Sequence, residues 1–322
     1  AKIIRTAIAG YGVVGKKRHF FLKKNKSFEV VAICERNFSK KQIDDSRKIK
    51  LFKNYIDLLN ENIDVIFICM SNDMAAKVTI ESLKKNINVF CEKPPARNLN
   101  ELSKVIKVEK SKPNLKLMYG FNHRFHDSIQ QAIKIINSKR FGRIINLKGT
   151  YGKSQLITFN QTTWRTNRKS AGGGVLLDQG IHMIDLIRFF AGDINEVKSY
   201  VSNNFWNFDV EDNIYAILKT NNDIYSMIHS SATQWRHKFI LEINLEKGSL
   251  ILEGILSGSK SYGEEKLTIV KANPKKDNGD PIEKVLKYNN DPSWAKEIKL
   301  FSNFILNNKK VSTGSSKEAY DC

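Results

Sequence analysis

The feature that most constrains the fold is the run Gly10-Tyr11-Gly12-Val13-Val14-Gly15, a G-x-G-x-x-G pattern. Alone, such a pattern says little. Here it follows the strand-like segment Ile3–Gly10 and opens a segment with helical spacing, Val14–Lys24. Glu35 stands twenty residues beyond Gly15 and closes a second strand, Phe28–Glu35, rich in Val and Ile. Strand, glycine turn, helix and strand-end carboxylate, in that order, predict a βαβ unit that binds a dinucleotide. Gly10 permits a tight turn, Gly12 lets the backbone approach a pyrophosphate, and Gly15 lets the helix pack close to the sheet. Tyr11, Val13 and Val14 complete that turn, and the helix N-terminus offers N–H groups and the positive end of its dipole to phosphates. Glu35 is expected to accept hydrogen bonds from the adenosine ribose, which favours NAD(H). Arg36, the next residue, is either a solvated surface cation or a group that stacks on adenine or pairs with a 2′-phosphate, which keeps NADP(H) as the alternative.

The first 120 residues continue this alternation. Apolar runs at Asp64–Met70, Ile87–Cys91 and Leu115–Phe121 are separated by helical spacing at Asp73–Lys85 and by a segment that Asn98 or Asn100 would cap. Alternating strands and helices predict a doubly wound parallel sheet, a Rossmann domain over residues 1–122. Beyond that the pattern changes. A helix near Ser128–Ser138 leads into a strand at Arg143–Tyr151, and Gly172-Gly173-Gly174 opens an apolar helix reaching about Ala191. Strand-like runs follow at Val197–Asn203, Asp212–Thr220, Asp223–Ala232, Phe239–Leu245 and Leu267–Val270, then a polar stretch, Ala272–Asp280, expected as a surface loop, and a helix at Ser293–Asn307. Consecutive strands predict a C-terminal α+β domain, residues 123–322, with a large open and mostly antiparallel sheet.

Two clusters carry chemistry. Glu92-Lys93-Pro94-Pro95 stands at the end of the fifth strand, and ligands of open α/β sheets bind outside the carboxyl ends of the strands. That position lifts Lys93 above the chain's many solvated lysines. The second cluster is Asp178 and His182, four apart on a predicted helix and so on one face. A buried Asp–His pair invites a functional role; a structural hydrogen bond, or a metal held by Asp178, His182 and Asp185, are the other readings. Metal ranks low, because no second histidine has ligand spacing nearby, and His123 and His126 read as loop or helix-start residues elsewhere.

The formal net charge of +20 raises the question of nucleic acid. The lysines are scattered among asparagines without a basic block, so no nucleic-acid partner is expected; a positive field would instead draw in an anionic substrate. No run approaches the roughly 20 apolar residues of a membrane helix. The first residues lack a signal-peptide core, and the four cysteines have no zinc or disulfide spacing. A cytoplasmic location with no membrane association is expected.

Together these residues resemble the Gfo/Idh/MocA family of NAD(P)-dependent sugar and polyol oxidoreductases. The resemblance runs along nearly the whole chain. It includes the glycine pattern, Asp64-Val65-Ile66-Phe67-Ile68, Glu92-Lys93-Pro94, Gly120-Phe121-Asn122-His123-Arg124-Phe125, Trp164-Arg165 ahead of Gly172-Gly173-Gly174, and Asp178-x-x-x-His182. It implies hydride transfer between nicotinamide and a sugar-like substrate in an active site between the domains. Lys93 would be the family lysine, His182 the general acid/base and Asp178 its substrate-orienting neighbour. Asn122, Arg124, Trp164 and Arg165 would line the nicotinamide or substrate pocket. Cofactor contacts would extend to Glu92, Lys93, Met70, Ser71 and Asn72. Relatives often carry Thr-Pro-Asn and then a His after the fourth strand; Met70-Ser71-Asn72-Asp73-Met74-Ala75 has neither the Pro nor the His. Relatives also usually continue past Ala319-Tyr320-Asp321-Cys322 into a final helix, so a truncation is expected there. The stretch Ser231–Gly248 resembles relatives associated with surface-polysaccharide synthesis, which implies a sugar or nucleotide-sugar. The family's second domain often forms dimers or tetramers through its open sheet, and a homodimer or homotetramer is expected. The rival from another class is a non-catalytic dinucleotide-binding sensor or scaffold.

Overall fold

The computed structural model describes residues 2–37, 48–156, 163–273 and 281–322. The chain forms two compact units. One holds the chain up to Phe121 with Lys169–Gly172 and Trp294–Tyr320; the other holds Asn122–Arg168, Gly173–Ser293 and Asp321–Cys322.

The first unit is built on a six-stranded sheet. Its strands are β1 (Ile4–Ala9), β2 (Phe28–Cys34), β3 (Lys50–Phe52), β4 (Val65–Ile68), β5 (Asn88–Glu92) and β6 (Leu117–Gly120). They lie in the order β3-β2-β1-β4-β5-β6, all parallel. Val65, Ile66, Phe67 and Ile68 are each at most 1% exposed, which is why β4 reads as an unbroken apolar run: a parallel strand is buried on both faces. Phe67 stacks on Phe90, with ring centroids 4.8 Å apart, and Phe301 from the helix Ser293–Leu306 packs edge-on against both. The strand order reverses between β1 and β4. This switch point opens a crevice at the carboxyl ends of the strands, where such sheets bind ligands.

The second unit is an eight-stranded sheet. It comprises β7 (Ile144–Gly152), β8 (Ile194–Ser202), β9 (Asn213–Thr220), β10 (Tyr225–Ser231), β11 (Lys238–Leu245), β12 (Gly248–Glu253), β13 (Glu265–Lys271) and β14 (Ile282–Tyr288). The order is β14-β13-β12-β11-β7-β10-β9-β8, and β7 with β10 is the one parallel pair. The helices Asp127–Asn137 and Ile181–Ala191 cover one face, joining Leu186 and Ile187 to Leu147, Leu241, Ile243, Leu250 and Leu267 in one core. The strict in-out alternation of β11 is the mark of a sheet with one face packed and one exposed. The fold is thus a Rossmann sheet followed by an α+β unit with a mostly antiparallel open sheet, as the sequence pattern predicts. Most of the expected loop at Ala272–Asp280 (274–280) lies outside the described residues. Among the described residues, no helix is long and apolar enough to cross a membrane.

Candidate active site

At the switch point, Gly10 has φ +90°, and a Cβ there would lie 2.3 Å from the carbonyl oxygen of Cys69. A Cβ on Gly15 would lie 2.0 Å from the Gly10 carbonyl oxygen. Both positions therefore exclude a side chain. Gly12 is different: a Cβ there would meet nothing within 4 Å, so its backbone borders open space. The helix Val13–Lys23 begins at Gly12 with no side-chain cap, leaving its first N–H groups to a ligand. Glu35 follows β2 and accepts the Tyr11 N–H at 2.9 Å and the Arg36 N–H at 2.8 Å. Oε1 also takes the Asn37 N–H at 3.5 Å, so Oε2 is the oxygen that keeps a lone pair for a ribose hydroxyl. Turn, uncapped helix and carboxylate thus fit a dinucleotide.

The other expected cofactor residues of this unit are more occupied. Ser71 Oγ donates to Asp73 at 2.6 Å, and the buried Asn72 amide donates to the Ala171 carbonyl at 2.8 Å. Met70 is half-buried after β4. Glu92 closes β5 and accepts Arg18 Nε at 2.5 Å, while Arg18 Nη2 reaches Glu297 at 2.6 Å. Glu92 is thereby held by Arg18, and Lys93, half-buried, leaves the strand immediately after it.

In the second unit the segment after Gly174 is not one regular helix. Leu176–Gly180 forms a π-helical turn and the α-helix proper begins at Ile181. The expected regular helix is thus modified at its start: Asp178 lies in the π turn and His182 in the α-helix that follows, four positions on and so about one turn away, and such turns recur at functional sites. Asp178 accepts Lys153 Nζ at 2.7 Å and Arg165 Nε at 3.3 Å. The Arg165 guanidinium lies 4.4 Å from the Trp164 ring centroid, so Trp164, Arg165, Asp178 and Lys153 form one cluster. His182 is 5% exposed and stacks on His123, with ring centroids 3.7 Å apart. His123 was expected elsewhere; long-range packing at the start of this unit brings it here. His123 Nε2 lies 3.0 Å from the Tyr151 hydroxyl, and the Tyr262 hydroxyl donates to Gln179 Oε1 at 3.0 Å. Burial pushes both phenols up, with the charge of Asp178 adding to the effect on each, so both remain donors at neutral pH.

Two expected pocket residues are committed to the unit's interior. Arg124, 3% exposed, donates from Nε to Asp185 at 2.8 Å and from Nη2 to the other oxygen. Asn122 donates to Ser293 Oγ at 3.2 Å and its carbonyl oxygen faces His123. Lys153, Tyr151 and Tyr262 were missed from sequence. The one local signal was a lysine directly after a strand, at the end of Tyr151-Gly152-Lys153.

Residues 4–121 match the family model described as "Oxidoreductase family, NAD-binding Rossmann fold", and residues 129–251 match the GFO/IDH/MocA C-terminal domain. The levoglucosan dehydrogenase of Pseudarthrobacter phenanthrenivorans is 31% identical over 142 residues, 44% of this chain and 36% of that protein. The D-glucoside 3-dehydrogenase of Escherichia coli is 28% identical over 217 residues, 63% of this chain and 58% of that protein. The matched region thus spans about a third to three fifths of these curated relatives. A solved structure, levoglucosan dehydrogenase in complex with NADH and levoglucosan, superposes with a TM-score of 0.87 at 19% identity, covering 99% of this chain and 94% of that one. That likeness carries the fold, and the two family matches, covering both units, carry the kinship: the chain belongs to the Gfo/Idh/MocA family of oxidoreductases.

Proposed function

We propose that this chain is an NAD(P)-dependent dehydrogenase that interconverts a secondary alcohol and a ketone on a sugar, polyol or nucleotide-sugar. The observation that carries the reading is the buried His182 imidazole in the same unit as Asp178, whose carboxylate is flanked by Lys153 and Arg165. Two relatives named as a levoglucosan dehydrogenase and a D-glucoside 3-dehydrogenase, and one solved structure of a levoglucosan dehydrogenase holding NADH and levoglucosan, support it. Bound nicotinamide supplies the hydride acceptor. The chain's own residues do the rest. His182 takes the hydroxyl proton as the adjacent carbon is oxidised. Lys93 stabilises the oxyanion that develops. Asp178, held by two cations, orients the substrate's neighbouring hydroxyl. NAD reduction across a panel of sugars, polyols and their derivatives tests the reading; no turnover with any of them, while NAD binds, would favour a sensor or scaffold instead.

NAD(H) is expected to bind at least about tenfold more tightly than NADP(H), the equivalent of about 1.4 kcal/mol of repulsion between Glu35 and a 2′-phosphate. Calorimetric titration with both cofactors measures this. Tighter NADPH binding would mean that Arg36, exposed beside Glu35, governs the choice.

The open sheet is expected to form a dimer or tetramer. Tyr200, Tyr215, Ile217, Tyr225 and Met227 are each half or more exposed, and the cross-strand register puts them on one face of β8, β9 and β10. An apolar face of this kind marks an interaction surface. Sedimentation at micromolar concentration would report it, and a monomer there would contradict it.

A further inference from the structure

β12 and β13 are antiparallel neighbours, a connection that usually takes about two to five residues. Here it runs from Gly254 to Glu264. Long connections inside compact domains are commonly functional. The base of this one is fixed. Gly254 and Gly263 turn the chain at φ +66° and +84°. The fully buried Glu265 accepts the Leu256 N–H at 3.1 Å and the Ser128 hydroxyl at 2.6 Å. The tip is Ser257-Gly258-Ser259-Lys260-Ser261. Its hydroxyls form a chain, Ser257 to Ser259 at 3.0 Å and Ser259 to Ser261 at 2.7 Å, which ends on His237 Nδ1 at 2.7 Å.

Beside the loop lies a cleft of about 450 Å³, lined by Arg236, His237, Lys238 and Tyr262 among others. Its two carboxylates are already neutralised: Glu253 pairs with Lys266 at 3.0 Å and Glu264 with Lys287 at 3.1 Å. Among the described residues, Arg236 and Lys238 make no ion pair, so their charge faces the cleft uncompensated. Burial, then the charges of Lys153 and Arg236, hold His237 below the usual imidazole range, consistent with a positive field. One lining residue, Tyr262, also reaches the cluster around Asp178. Tyr262 bonds to Gln179, the neighbour of Asp178, and its ring lies 5.3 Å from that of Tyr151.

We propose that this cleft is a phosphate subsite, so that the substrate of the proposed dehydrogenase carries a phosphate ester bound by Arg236 and Lys238. The inference rests on the functional reading above and narrows its substrate class. Two cations that pair with no carboxylate among the described residues match a phosphate, which presents more acceptor oxygens than a carboxylate and carries charge that a neutral sugar does not. The source of the phosphate is either a terminal monoester or the diphosphate linker of a nucleotide-sugar.

The test uses the full chain saturated with NAD, so that the glycine turn is filled, at constant ionic strength. Calorimetric titration with orthophosphate and with pyrophosphate should show binding that Arg236→Ala/Lys238→Ala weakens by about tenfold or more. Lys309→Ala/Lys310→Ala removes equal charge from two exposed residues elsewhere and should leave that binding unchanged. Turnover is then compared across free hexoses, hexose monophosphates and nucleoside-diphosphate hexoses. One phosphorylated arm should exceed the free sugars by about tenfold or more in kcat/KM, and the arm that does so identifies the source. Phosphate binding that is absent, or equal in the Arg236/Lys238 double variant and the wild type, overturns the subsite. Free sugars turning over as well as phosphorylated ones also overturn it while leaving the dehydrogenase reading intact. Failure to bind NAD at all would sink that reading itself.

Discussion

Replacing His182 with alanine is expected to lower kcat/KM by about 10²- to 10⁴-fold, the usual contribution of a positioned general base. Lys93→Ala is expected to cost about 10²-fold or more, as loss of an oxyanion donor does. Both groups are proposed to act on proton and charge in the transition state, so cofactor affinity should survive both changes. The residues that fit the dinucleotide are the Gly10–Gly15 turn, the uncapped helix start at Gly12 and the Glu35 carboxylate. Steady-state kinetics with the true substrate, beside calorimetry with NAD, separate the two effects. The His182 variant should also lose the acid limb of the wild-type pH–rate profile, because protonating the imidazole removes the base. Near wild-type turnover in both variants would refute the mechanism without touching the fold. Parallel loss of NAD affinity and activity would make the two residues structural and favour a binding sensor.

The glycine turn was legible because its requirements are local: strand, turn and helix are contiguous, and Gly10 and Gly15 meet backbone atoms within a few residues or one strand away. The order of the larger strands was legible for the same reason, since buried parallel strands are unbroken apolar runs and half-buried ones alternate. The short edge strand Lys50–Phe52, with three residues, offers no period to read, and β14, Ile-Glu-Lys-Val-Leu-Lys-Tyr, is mostly exposed and carries charges on both faces. β12, Gly248–Glu253, follows β11 after only Glu246 and Lys247 and opens on Gly-Ser, which leaves no long apolar run to mark it beyond the expected strand end at Leu245.

The second-unit cluster was half legible. Asp178 and His182 stood out by spacing, but the π turn that sets their orientation depends on how Leu176–Gly180 packs, which no periodicity encodes. Lys153 is separated from Asp178 by 25 residues and His123 from His182 by 59, so their partnerships appear only once β7 and the helices are assembled. Arg124 failed differently. A basic residue in a family motif looks like a ligand contact, yet a buried guanidinium needs a carboxylate, and Asp185 supplies it with 0% exposure.

Arg18 was the least conspicuous of these residues in the sequence, one cation in a basic helix, and its substitution is expected to have the largest effect on stability. Its side chain is fully buried, with Nε 2.5 Å from Glu92 and Nη2 2.6 Å from Glu297. The guanidinium lies 4.4 Å from the Phe90 ring centroid and 4.2 Å from that of Trp294. Although burial opposes its charge, the two carboxylates outweigh this and raise its pKa. Arg18→Met keeps much of the aromatic packing but takes the guanidinium away from two carboxylates, Glu297 with 0% and Glu92 with 14% side-chain exposure. Breaking a buried pair in this way costs about 3–5 kcal/mol, most of it the burden of the unpaired charge. Urea unfolding followed by tryptophan fluorescence should show that loss as a lower midpoint with little change in slope. Arg18→Met/Glu297→Gln should recover part of it by removing one charge. A loss below about 1 kcal/mol would mean that the cluster is no more than an exposed ion pair in effect. Because Glu92 loses its Arg18 partner in this variant and Lys93 is the next residue, the same variant should lose turnover at urea concentrations where it is still folded.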